Sequence, residues 1–171
     1  MKKVFKTIGW LLLIALVIIQ FFHPKKNIHP GDQPNAIGKM HPISSDVKTI
    51  LDKACMDCHS NNTRYPWYNN IQPVAWWLAD HINDGKKELN FDSFITRRPR
   101  FQYTRMQQTI DLVKKDAMPL NSYTWIHKDA ILTAEEKTRL YDWAQSIMKT
   151  LESKYPIDSL KRPQGSQQPK S

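Results

Sequence analysis

The stretch SSDVKTILDKACMDCHS, residues 44–60, decides how this chain is read. Ser44, Ser45 and Asp46 carry the short side-chain oxygens that cap a helix start, and behind them Val47, Ile50, Leu51, Ala54, Cys55 and Cys58 recur at helical spacing. Both cysteines therefore fall on the apolar face of an amphipathic helix. Cys55-Met56-Asp57-Cys58-His59 is also the C-x-x-C-H pattern of covalent haem attachment. Two thiols one helical turn apart reach the two vinyl groups of one porphyrin, and the next residue brings its imidazole under the iron. The spacing predicts one haem c attached through Cys55 and Cys58, with His59 as the proximal metal ligand.

Other uses of the cysteine pair fit less well. A thioredoxin-like pair belongs at a strand-to-helix junction, and this chain has no convincing alternating strand pattern. A structural zinc site needs four ligands, and no second Cys or His cluster supplies the missing pair. A disulfide across three residues closes too short a loop to stabilise much. With 2 cysteines in 171 residues, a disulfide scaffold is excluded.

Three more amphipathic helices lie further out. One starts at Pro73, whose missing N–H is harmless in a first turn, and runs through Trp77, Leu78, His81 and Ile82 to a stop at Gly85. Phe101, Met106, Ile110 and Val113 mark the next, which ends before Pro119. Thr133 with Glu136 forms a capping-box pattern for the last, whose inner face is Leu140, Trp143, Ala144, Ile147 and Leu151. The expected fold class is an all-α bundle of four to five helices over residues 44–155.

The ends read differently. IGWLLLIALVIIQFF, residues 8–22, is uncharged, and counted from Val4 the run holds 19 residues with only Lys6 inside. As a helix it spans roughly 28 Å, close to a bilayer's hydrocarbon thickness. Residues 1–22 are accordingly expected to form an uncleaved signal anchor, a single transmembrane helix with its basic start in the cytoplasm. A cleaved signal peptide shares these features, but small residues should follow the apolar run, and Gln20, Phe21, Phe22, His23 and Pro24 stand there instead. Residues 23–43, with Pro24, Pro30, Pro34 and Pro42, read as a semi-extended tether, and residues 156–171 as a disordered tail.

The net charge of +9 divides into +5 on residues 1–43, +3 on residues 161–171 and +1 on the centre. Basic ends on a nearly neutral centre suit a membrane surface and argue against a nucleic-acid partner, which would need its charge on the folded face. Because c-type haem is attached outside the cytoplasmic membrane, the motif supports the same orientation as the anchor.

The segment CMDCHSNNTRYPWYNNIQPVAWWLADHINDGKKELNF, residues 55–91, together with AMPLNSY at 117–123, resembles the bacterial haem-binding-domain family over about residues 44–150. That family consists of small single-haem c-type proteins, often tethered to the membrane. The resemblance implies a cytochrome c-like fold and electron transfer on the periplasmic side of the bacterial cytoplasmic membrane, to redox partner proteins that are not identified. In similar cytochromes a Met-Pro segment carries the sixth iron ligand, which maps onto Met118 and Pro119; this chain has Leu120 where relatives often carry a second proline.

Met118 stands just past an expected helix end with Pro119 fixing the backbone behind it, so a loop methionine can face the iron. His81, on the inward stripe of the second helix, is the alternative sixth ligand. A Met and His pair raises the potential and closes the iron to oxygen, as an electron carrier rather than an enzyme requires. A haem sensor or peroxidase-type enzyme would instead keep the distal site open. Arg64, Arg97, Arg98 and Arg100 offer guanidinium forks to the haem propionates, Arg64 being nearest the motif. Tyr65, Trp67, Trp76, Trp77 and Trp125 either wall the porphyrin or serve as ordinary core aromatics.

Overall fold

A computed structural model describes residues 1–161. Among these residues eight α-helices follow one another: α1 (Lys2–Ile19), α2 (Ser45–Ala54), α3 (Met56–His59), α4 (Val74–Glu88), α5 (Pro99–Lys114), α6 (Asn121–Thr124), α7 (Ala134–Glu152) and α8 (Ile157–Leu160), with short 3-10 turns between them. Among the described residues the β pairing amounts to one isolated bridge, Ile28 with Asn62. The class is all-α.

The long helices form where their caps and apolar spacing predict. Ser44 Oγ accepts from Val47 N at the start of α2, and Thr133 with Glu136 closes both halves of a capping box on α7. The inner face of α7 buries Leu140, Trp143, Ala144, Ile147 and Leu151 as expected, and adds Met148. It packs against α5, which contributes Met106, Ile110 and Val113, and against α2, which contributes Val47, Ile50 and Leu51. Phe91 and Phe94, from the turn after α4, complete this core. Helix α4 buries Ala75, Leu78 and Ile82 and lies on α3.

The N-terminal segment departs from expectation. Among the described residues no helix is long and apolar enough to cross a membrane. Helix α1 stops at Ile19, three residues short of the expected end, and holds Lys2, Lys3 and Lys6 within it. Its uncharged run from Thr7 to Ile19 rises only about 20 Å against a hydrocarbon thickness of about 30 Å. The helix stops because the backbone beyond it is pinned to the domain. Gln20 Nε2 donates to Gln72 O at 3.2 Å, Gln72 N donates to Gln20 Oε1 at 2.9 Å, and Gln72 Nε2 donates to Phe22 O at 2.6 Å. The expected single-pass anchor is therefore overturned, and with it the location in the bacterial cytoplasmic membrane that depended on it.

Residues 23–43 lie on the domain rather than standing off it. Asn27, Ile37 and His41 are buried. Asn27 is the main pin: its N–H donates to Tyr65 Oη at 2.7 Å, and its Nδ2 donates to Ser60 O and to Thr63 Oγ1, each at 3.0 Å. At the other end, residues 156–161 fold back. Leu160 of α8 is fully buried in the core, and Arg100 Nε donates to Ser159 O at 2.8 Å. One buried leucine in a polar stretch carries no periodicity, which is why composition alone assigned this segment to the tail. The rest of the expected tail, residues 162–171, lies outside the described residues.

Candidate functional site

The expected first helix breaks inside the motif. Cys55, at φ −128° and ψ −44°, separates α2 from α3, so the thiols sit on either side of a corner rather than along one continuous helix. Both cysteines are free and half-buried, and Cys55 and Met56 pack against the main core. Burial, reinforced by the neighbouring Cys58, pushes the Cys55 thiol up to about 12; burial and the charge of Asp57 push Cys58 up to about 11. No disulfide joins the two sulfurs.

His59 closes α3. Its Nδ1 is 2.8 Å from the carbonyl oxygen of Leu89, the residue that ends α4. A carbonyl only accepts, so Nδ1 carries the proton and Nε2 is left with a free lone pair. Burial holds the imidazole below its ordinary value against the opposing pull of the Leu89 and Gly85 backbone, and so favours the neutral form. The ring meets Phe91 edge-on at 6.3 Å between centroids.

Gly85, expected to end a helix, is instead inside α4. A Cβ there would stand 2.7 Å from Cys58 O and 3.1 Å from Cys58 Cβ. The glycine therefore lets α4 approach the C-x-x-C-H corner closely enough for Leu89 to reach His59.

Of the remaining sequence-predicted residues, Arg64 meets the motif directly, Met118 lies on the main core, and most of the others are engaged elsewhere. Met118 is half-buried and packs against the same core as Cys55 and Met56. His81 turns along its own helix: Nδ1 donates to Trp77 O at 2.8 Å and the ring lies 4.2 Å from that of Trp77, which is 44% exposed. Arg64 directs its fork inward, with Nε 3.1 Å from Asp57 Oδ1 and Nη2 2.6 Å from Asp52 O. Arg97 and Arg105 flank the ring of Phe101, and Arg100 holds Ser159. Among the aromatics, Tyr65 receives Asn27, while Trp67 and Trp125 are 76% and 77% exposed and Trp76 and Trp77 are also exposed.

Sequence reasoning missed the group that organises the corner. Asp57, between the two cysteines, is only 8% exposed, and its carboxylate takes the Arg64 fork on Oδ1 and Tyr123 Oη on Oδ2 at 2.7 Å. Its carbonyl accepts from Thr63 Oγ1 at 2.7 Å. Burial and this carboxylate raise the Tyr123 phenol far above its ordinary range, so it remains a donor. Tyr123 in turn stacks on His127 at 4.3 Å, and Tyr68 Oη stands 2.9 Å from His127 Nε2. An acid inside C-x-x-C, seven residues before an arginine, was the available signal for Asp57 and Arg64; nothing in the pattern marks Tyr123.

Two thiols with an adjacent imidazole, Nδ1 committed to Leu89 O, are the donor set that a haem-binding helical domain requires. The model of the Haem-binding domain family matches residues 14–146, and the chain belongs to that family. No curated protein and no solved structure matches it.

Proposed function

We propose that the chain is a c-type cytochrome, with one haem joined by thioethers to Cys55 and Cys58, His59 as its proximal ligand and Met118 as its sixth, and that it passes single electrons between partner proteins. The observation that carries this reading is the C-x-x-C-H corner with both thiols free and His59 oriented by Leu89 O. When bound, haem supplies a reversible one-electron couple at its iron. The chain's own residues do the rest. Each thiol brings the hydrogen that addition to a vinyl double bond passes to carbon, so attachment needs no oxidant or reductant. The Leu89 carbonyl fixes the imidazole tautomer and raises its basicity as a ligand. The buried core behind Cys55, Met56 and Met118 gives these partly buried side chains an apolar backing.

Replacing Met118 by Ala and recording ferric and ferrous spectra tests the assignment. A change from low-spin to high-spin iron is expected. An unchanged low-spin spectrum would remove Met118 from the ligand set, and rapid carbon monoxide binding by the unmodified ferrous protein would favour a sensor or enzyme with an open distal site.

A further inference from the structure

We propose that Tyr123 and Asp57 form a latch tying the Met118 loop to the haem-attachment corner, which makes Tyr123 a positioning residue for the sixth ligand; this rests on the proposed ligation by Met118. Tyr123 lies in α6, five residues beyond Met118. Its hydroxyl donates to Asp57 Oδ2 at 2.7 Å across 66 residues of sequence. This joins the segment after Pro119 directly to the residue between the two cysteines.

Asp57 is itself held from the other side. Arg64 N and Nε each stand 3.1 Å from Oδ1, and Arg64 Nη2 donates to Asp52 O near the end of α2, so the carboxylate is a fixed anchor rather than a swinging surface group. A hydrogen bond to a buried carboxylate oxygen is among the stronger kinds available to a phenol. The same segment has further supports: His127, stacked under Tyr123, reaches Tyr68, and Met118 N donates to Leu112 O at 3.3 Å. Phenylalanine at position 123 would keep the stacking on His127. The hydroxyl adds the tie to Asp57, and its removal separates that tie from packing.

The test uses the haem-loaded protein carrying Tyr123→Phe, with imidazole as a competitor for the sixth position of the ferric iron. A loosened Met118 loop gives way more readily, and about tenfold tighter imidazole binding is expected. Hydrogen exchange of the amides of residues 117–124 should quicken in the same variant. In an Asp57→Asn background the Tyr123 substitution should have a much smaller effect, because the two changes remove one interaction. Unchanged imidazole affinity and unchanged exchange in Tyr123→Phe, alongside a Met118→Ala protein that does turn high-spin, would overturn the latch alone. An unchanged Met118→Ala spectrum would overturn the ligation reading and with it the role assigned to Tyr123.

Discussion

His59 Nδ1 and the carbonyl oxygen of Leu89 are 2.8 Å apart, joining the last residue of α3 to the end of α4. Thirty residues separate the two, and the bond forms only because α4 crosses the motif at Gly85. The His59 imidazole is thus oriented by the backbone of a neighbouring helix, and the close approach of that helix depends on one missing side chain.

Gly85→Ala should disturb this arrangement. The new Cβ would meet a backbone oxygen at 2.7 Å, which cannot swing aside as a side chain can. Overpacking of this kind costs about 1–3 kcal/mol, against about 1 kcal/mol gained in helix propensity. A lower melting temperature and a lower haem-to-protein absorbance ratio are expected. A variant that melts higher with full haem content would show that α4 has room to move.

Leu160→Ala tests whether residues 156–161 belong to the fold. Leu160 is fully buried, and truncating such a residue costs about 2–5 kcal/mol. Urea denaturation should show a loss toward the lower end of that range, because a terminal helical turn relaxes more readily than the middle of α7. No change in midpoint would mean that residues 156–161 contribute nothing.

Arg64→Ala leaves the Asp57 carboxylate with the Tyr123 hydroxyl and one backbone N–H. Asp57 is buried, but the Arg64 side chain is 64% exposed and water can replace part of it, so the expected loss is about 1 kcal/mol in chemical denaturation. Arg64→Lys should recover only part of this, since a point charge cannot reproduce the fork on Asp57 and Asp52. Full recovery by lysine would reduce the interaction to simple charge.

Acid sensitivity should trace in part to His41. This ring is buried against Phe94, with Gln102 of α5 and Lys154 beyond α7 facing it, and its Nε2 has no partner. Burial pushes its pKa below the ordinary 6.5, the neighbouring Gln102 amide opposes this, and Lys154 adds to the lowering. The unfolded chain therefore binds the proton first, so stability falls as pH drops below about 6.5 and levels off below the folded value. Denaturation midpoints of the unmodified protein and His41→Gln should diverge between pH 7.5 and 5, with the unmodified protein losing more. Parallel curves would exclude His41 as a source.

Much of this structure is legible in the sequence where apolar spacing and caps coincide. The Ser44 cap, the Thr133–Glu136 box and the buried stripe of α7 appear where side-chain chemistry puts them. Helix α4 runs on to Glu88 because Gly85 serves a close approach, and a glycine reads the same in either role. The motif names Cys55, Cys58 and His59 because their chemistry fixes their spacing. It cannot name Leu89, whose contribution is a carbonyl that every residue owns, nor Tyr123, whose partner lies far away in sequence. The N-terminal run misleads because counting apolar residues ignores where the helix ends, and that is set by the Gln20–Gln72 clasp.

Covalent haem attachment through Cys55 and Cys58 is the claim on which the functional reading stands. Expressed in a host competent for cytochrome c maturation, denatured and extracted with acidified acetone, the polypeptide should retain one haem per chain and give the pyridine haemochrome of a thioether-linked porphyrin. A polypeptide left colourless, with its haem in the solvent, would contradict the account.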